Sequence, residues 1–119
     1  MPFIKKSNYT RPPFYQFNGH IQTIAASFRK VLGVTYERER ITTPDGDFLD
    51  LDWIDQKGSK LVILTHGFEG NSKRPYILGM AKMFSKKGYD TLSWNCRSCS
   101  GEMNRHFRMY NHSIANQML

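Results

Sequence analysis

The sequence predicts an α/β fold, and three observations carry that expectation. The first is a continuous apolar run, Leu61-Val62-Ile63-Leu64, that gives way to a glycine-containing loop over His66–Ser72. A run of this length bounded by turn residues reads as a strand buried on both faces. The second is a helical pattern over 75–87 followed by a strand-like segment over 89–95, which together form a crossover joining two parallel strands. The third is a pair of alternating segments across Pro44-Asp45-Gly46-Asp47, the chemistry of a β-hairpin. In open α/β sheets ligands gather at the carboxyl ends of parallel strands, so His66–Ser72 is the first candidate site.

Composition bounds the answer. A chain of 119 residues has room for one domain of ordinary size. Its apolar content of 39% and aromatic content of 13% supply a core and argue against disorder. The net charge of +7 is unevenly spread. Lys73, Arg74, Lys82, Lys86 and Lys87 cluster, Lys5, Lys6 and Arg11 mark the N-terminus, and Asp45, Asp47, Asp50, Asp52 and Asp55 form an acidic block. Opposite charges in separate blocks describe several solvated faces, not a nucleic-acid footprint, so no nucleic acid is expected. The basic excess leaves an acidic partner or an anionic membrane surface open. Two cysteines are too few for a disulfide framework. No apolar stretch reaches the roughly 18 residues of a membrane-spanning helix, and Met1–Lys6 lacks the apolar core of a secretory signal. The default expectation is a reducing, cytoplasmic compartment.

Taken in order, residues 1–17 read as an extended arm. Tyr9, Pro12, Pro13, Phe14, Tyr15 and Phe17 combine prolines with β-preferring aromatics. Such an arm covers a core or, with its lysines, touches a membrane surface. Asn18 is a plausible N-cap. Ile21, Ile24, Ala25, Phe28, Val31 and Leu32 recur at helical spacing, which predicts a helix over Gly19–Leu32 ended by Gly33. His20, in its first turn, reads as a packed or capping residue and not as a catalytic base.

Tyr36–Thr43 and Phe48–Ile54 are the strands of the hairpin. On the second, Leu49, Leu51 and Trp53 face one way and Asp50 and Asp52 the other, and the aspartate face is expected to be solvated. Lys60–Thr65 is the buried strand. In the next helix Tyr76, Ile77, Met80, Ala81 and Phe84 share a face, Pro75 suits the first turn, and Lys86, Lys87 and Gly88 suit the end. The basic cluster is then a solvated helix face. Tyr89–Asn95 is the second parallel strand, and Cys96–Glu102 forms a second loop at its carboxyl end. Ser113–Leu119 could open a further helix.

Motifs narrow the chemistry. The sequence holds no G-x-G-x-x-G, and Lys73 in Gly70-Asn71-Ser72-Lys73 stands in the wrong place for a phosphate-binding loop. Cys96-x-x-Cys99 with His106 and His112 has the order of a zinc site. However, six residues separate Cys99 from His106, where a zinc finger uses about twelve. The cysteines therefore read as ordinary thiols, and neither a metal nor a cofactor is expected.

What remains is His66-Gly67-Phe68-Glu69-Gly70. A His-Gly-x-x-Gly segment after a buried strand resembles the oxyanion loop of the α/β-hydrolase fold. Three further segments resemble the YheT-like branch of that fold: Phe17-Asn18-Gly19-His20-Ile21-Gln22-Thr23, Pro44-Asp45-Gly46-Asp47-Phe48-Leu49-Asp50-Leu51-Asp52-Trp53, and Cys99-Ser100-Gly101-Glu102-Met103-Asn104-Arg105. The resemblance runs from about Arg11 to Tyr110. It implies an incomplete α/β-hydrolase fold, with 1–17 as an arm and 18–119 as the N-terminal portion of the domain, its C-terminal half absent. It implies hydrolysis of a carboxylic ester, lipid-like or acylglycerol-like, through a Ser nucleophile beyond this chain, with a small-molecule ester as partner. By the same resemblance the N–H of Phe68 is the oxyanion donor, Gly67 and Gly70 let the backbone approach the substrate, and His66 and Glu69 support the loop.

The sequence also departs from that pattern. It contains no G-x-S-x-G. Ser98 stands where the family usually carries Gly, which opposes a positive φ there. In the order of that fold the Lys60–Thr65 strand lies between the Tyr89–Asn95 strand and the nucleophile strand. Without the latter its apolar edge is left open for self-association. The alternative to an enzyme is a catalytically inactive fragment acting as an interaction or membrane-surface module.

Overall fold

The computed structural model describes residues 11, 13–25 and 28–106. The rest of the expected arm, with Phe3 and Tyr9, and the expected helix at Ser113–Leu119 lie outside the described residues. Two compact units divide after Lys30.

The first unit holds a single 3₁₀ turn, Phe14–Gln16, and helix α1, Gly19–Ala25. Pro13 fixes the entry to the turn with an extended backbone, and Gln16 N–H donates to the Pro13 carbonyl at 2.8 Å. This part of the expected extended arm is therefore coiled. Asn18 caps α1 as expected, its Oδ1 accepting from His20 N–H at 2.8 Å. The His20 side chain itself is exposed. The helix is shorter than the periodicity predicts. From Phe28 onward the chain is turn and coil, and Phe28 and Leu32 are exposed. A short amphipathic helix is marginal without a surface to bury its stripe.

The second unit is a four-stranded sheet of β1 (Glu37–Thr42), β2 (Phe48–Ile54), β3 (Leu61–Thr65) and β4 (Asp90–Trp94), with helix α2 (Pro75–Ser85). The spatial order is β1-β2-β4-β3. The hairpin β1–β2 is antiparallel, β2–β4 is antiparallel, and β3–β4 is parallel through the α2 crossover. The Asp-Gly turn closes the hairpin as read, with Gly46 at φ 76° and Thr43 N–H donating to Asp47 O at 2.9 Å. Gly88, at φ 78°, ends α2 in the left-handed conformation expected of a C-terminal glycine.

The core lies between α2 and one face of the sheet. Ile77 and Ala81 of α2 meet Leu64, with Tyr36, Ile54 and Val62 packed around them. The register puts Arg38, Arg40, Asp50, Asp52, Thr91 and Ser93 on this same face. Two expectations are overturned here. Asp50 and Asp52 are not solvated, since each is 1% exposed. The arginines directly opposite on β1 account for it. Arg38 forks onto Asp52 at 2.7 and 2.9 Å, and Arg40 onto Asp50 at 2.7 and 2.9 Å. Nor is β3 covered on both faces. Val62 and Leu64 point toward α2, but Leu61 and Ile63 are 49% and 60% exposed on the other face.

Candidate functional site

The loop after β3 is anchored at both ends. At its start His66 is buried, and its Nε2 accepts the Cys96 N–H at 3.0 Å. A nitrogen that accepts carries no proton, so in the neutral ring the proton sits on Nδ1, which donates to the Gly67 carbonyl at 2.8 Å. At its end Ser72 is fixed three ways. Its N–H donates to Asn95 Oδ1 at 2.9 Å, its hydroxyl donates to Asp52, and its carbonyl accepts from Tyr36 Oη at 3.3 Å. Asn95 in turn donates to the Asp50 carbonyl and to Asp52, both at 3.0 Å. The aspartate read as a solvated surface residue is thus the post to which the loop is tied.

Between these anchors Gly67–Gly70 forms a tight turn, with Gly70 N–H donating to Gly67 O at 2.9 Å. Glu69, at φ 51°, occupies the third place of that turn, where a positive φ asks for glycine. The Arg74 guanidinium holds the Glu69 carbonyl at 2.9 Å. The two glycines differ in what they need. A Cβ on Gly70 would stand 2.9 Å from Gly67 O and 3.1 Å from the His66 ring nitrogen, so only glycine closes the turn. A Cβ on Gly67 would meet only the Tyr76 hydroxyl, at an ordinary 3.6 Å. Gly67 N–H donates to that same hydroxyl at 2.8 Å. Phe68 stands at the tip with its ring exposed. His66, Gly67, Phe68, Glu69 and Gly70 therefore form one turn at the carboxyl end of a parallel strand.

The second loop, after β4, lies beside the first through Cys96 and is built on Asp47. This carboxylate is buried and accepts from Phe48 N–H (2.9 Å), Arg97 Nη1 (2.9 Å), Asn104 Nδ2 (2.7 Å), Arg105 N–H (3.1 Å) and His106 N–H (3.3 Å). Burial pushes its pKa up, but these donors, led by Asn104, outweigh burial and hold it far below the usual carboxylate range. Asp45 accepts from Thr43 and pairs with Arg97, and its pKa falls to about 2 against a smaller opposing effect of burial. The Arg40 bond holds Asp50 low despite burial. For Asp52, burial is outweighed by Arg38, Ser72 and Asn95. Ser98 takes φ 60°, the positive value that the family's usual glycine suggested. Burial raises the Cys96 thiol to about 11, and Cys99 is also raised, chiefly by burial. Both shifts disfavour the nucleophilic thiolate. No group of three or more metal-ligating side chains occurs among the described residues, and no described helix is long and apolar enough to cross a membrane.

Sequence reasoning found the loop but missed its supports. Tyr76 reads as one member of an apolar stripe, and Asn95 as the end of a strand. A signal for the buried aspartates was present: Arg38-x-Arg40 and Asp50-x-Asp52 lie equidistant from the Asp-Gly turn and must oppose one another once the hairpin closes.

No protein-family model matches the chain. The Escherichia coli (strain K12) protein named "Putative esterase YheT" is 37% identical over 99 residues, 78% of this chain and 29% of that protein. Phospholipase ABHD3 of Homo sapiens is 31% identical over 111 residues, 85% of this chain and 27% of that protein. A solved Pyrococcus furiosus esterase, Pf2001, overlaps 58% of this chain and 29% of its own, at 28% identity and a TM-score of 0.49. The chain thus spans under a third of the length of the curated relatives it matches. With two relatives that match most of its length and with the strand order described above, the chain is YheT-like and carries a partial α/β-hydrolase fold.

Proposed function

We propose that this chain supplies the oxyanion loop of a carboxylic ester hydrolase acting on lipid-like or acylglycerol-like small-molecule esters. The observation that carries the reading is the Gly67–Gly70 turn, held by hydrogen bonds at the carboxyl end of β3. In ester hydrolysis a Ser hydroxyl attacks the carbonyl, and negative charge collects on its oxygen. A backbone N–H already in place stabilises that charge without reorganising, and losing one such donor costs about 10²–10³ in rate. Phe68 supplies the N–H in this reading. Gly70 permits the turn, Gly67 lets the substrate approach, and Glu69 carries the positive φ. His66, engaged through both ring nitrogens, braces the loop and is not the general base. The nucleophile and its base lie outside the described residues, and the reaction calls for no cofactor. The names of the relatives, an esterase and a phospholipase, support an ester substrate.

Three finer readings accompany this one. The location is cytoplasmic. The exposed Phe14 and Phe17 favour a peripheral membrane contact, and the margin of the sheet at β3 favours self-association. Turnover of an activated ester by the full-length protein, abolished by an organophosphonate, is the expected result. No turnover with retained liposome binding would replace the hydrolase with a membrane-surface module.

A further inference from the structure

We infer that Tyr76 is a positioning residue for the oxyanion donor, an inference that rests on the reading of Phe68 as that donor. The Phe68 N–H and the Gly67 carbonyl are the two poles of one planar peptide, so whatever orients the carbonyl orients the N–H. That peptide hangs on the two soft dihedrals of Gly67, the most permissive residue type. Three hydrogen bonds remove this freedom. The carbonyl accepts from His66 Nδ1 at 2.8 Å and from Gly70 N–H at 2.9 Å. On the other side, Gly67 N–H donates to Tyr76 Oη at 2.8 Å.

The three are not equivalent. His66 and Gly70 adjoin Gly67 in the same loop. Tyr76 belongs to the first turn of α2, and its neighbour Ile77 is 2% exposed in the core. The Tyr76 bond therefore ties the His66–Gly67 peptide, from which the donor peptide hangs, to the packed helix. Tyr76 is 48% exposed and so stands outside the core. Among the described residues its oxygen has the Gly67 amide as hydrogen-bond partner. A constellation held by a supporting shell on a rigid element is what preorganised electrostatic stabilisation requires.

Tyr76→Phe deletes that oxygen and keeps the ring. In this chain, amide exchange followed by NMR should quicken at Gly67 and Phe68 by about tenfold or more, with the global melting temperature nearly unchanged. Unchanged exchange at Gly67 would overturn the inference. In the full-length protein the same variant should lower kcat by about 10- to 100-fold at unchanged KM, the signature of a misplaced transition-state contact. Faster exchange with wild-type kcat would also overturn it. A wild-type protein with no turnover would instead remove the hydrolase reading. The exchange result would then still decide whether Tyr76 fixes the peptide.

Discussion

Ser98 shows what a single residue can concede to a loop. Its φ of 60° places an L side chain where glycine sits without strain, and such residues cost about 1–3 kcal/mol. Its hydroxyl recovers a little by accepting the Asn104 N–H at 3.3 Å on an exposed surface. The strain is the larger effect, so Ser98→Gly should stabilise the chain by about 1 kcal/mol, read as a higher melting temperature. A lower one would mean that the hydroxyl matters more than the backbone. Asp47 is the opposite case. Five donors converge on it, and Arg97, 8% exposed, is buried beside it. Removing one partner of a buried pair costs about 3–5 kcal/mol, so Asp47→Ala should lose that much in chemical denaturation and loosen 97–106 first. The positive φ at Ser98 was legible because the resemblance expected glycine there. The fivefold use of Asp47 was not, since its donors lie 1 to 59 residues away in sequence and meet only in the fold.

At the scale of elements, what the sequence made plain was local. The Asp-Gly turn, the β2 alternation, the Pro75 start and Gly88 end of α2, and the Asn18 cap all follow from neighbours in the chain. What it hid was which face of each strand another element would cover. Alternation on β2 assigns Leu49, Leu51 and Trp53 to one face and Asp50 and Asp52 to the other, but α2 packs on the aspartate side. The paired arginines make that burial tolerable, and it has a consequence in acid. Asp47, Asp50 and Asp52 all have folded pKa values below their unfolded values near 3.9. The unfolded chain therefore takes up protons first as pH falls. Their contribution is complete well above pH 4 and is lost as pH drops below about 4 toward the folded values. The melting temperature should be nearly level from pH 7 to 5 and fall steeply below 4. Asp52→Asn, already lacking one of these carboxylates, should show a shallower fall. A level profile down to pH 3 would contradict the assignment of these carboxylates as paired.

For the whole molecule the decisive feature is β3. Among the described residues it is the marginal strand of the sheet, paired to β4 on one side only. Its outward face carries Leu61 and Ile63, both well exposed, beside Leu92 and Trp94 of β4, which are half-buried. Marginal strands are usually blunted by a central charge, a proline or a bulge, and Leu61–Thr65 contains none of these. A short apolar strand with an open backbone edge offers a second copy of itself a complementary partner, since two such edges can pair antiparallel about Ile63. The net charge of +7 opposes close approach at low salt, so association should strengthen as salt screens it. Sedimentation of the chain should show a concentration-dependent shift above the monomer, greater at high salt. Ile63→Lys places a charge at the centre of the exposed face without touching the side packed on α2, and it should return the chain to a monomer. A single monomeric species at every concentration, with cooperative and reversible unfolding, would defeat this prediction. An Ile63→Lys variant that still associates would move the contact away from β3.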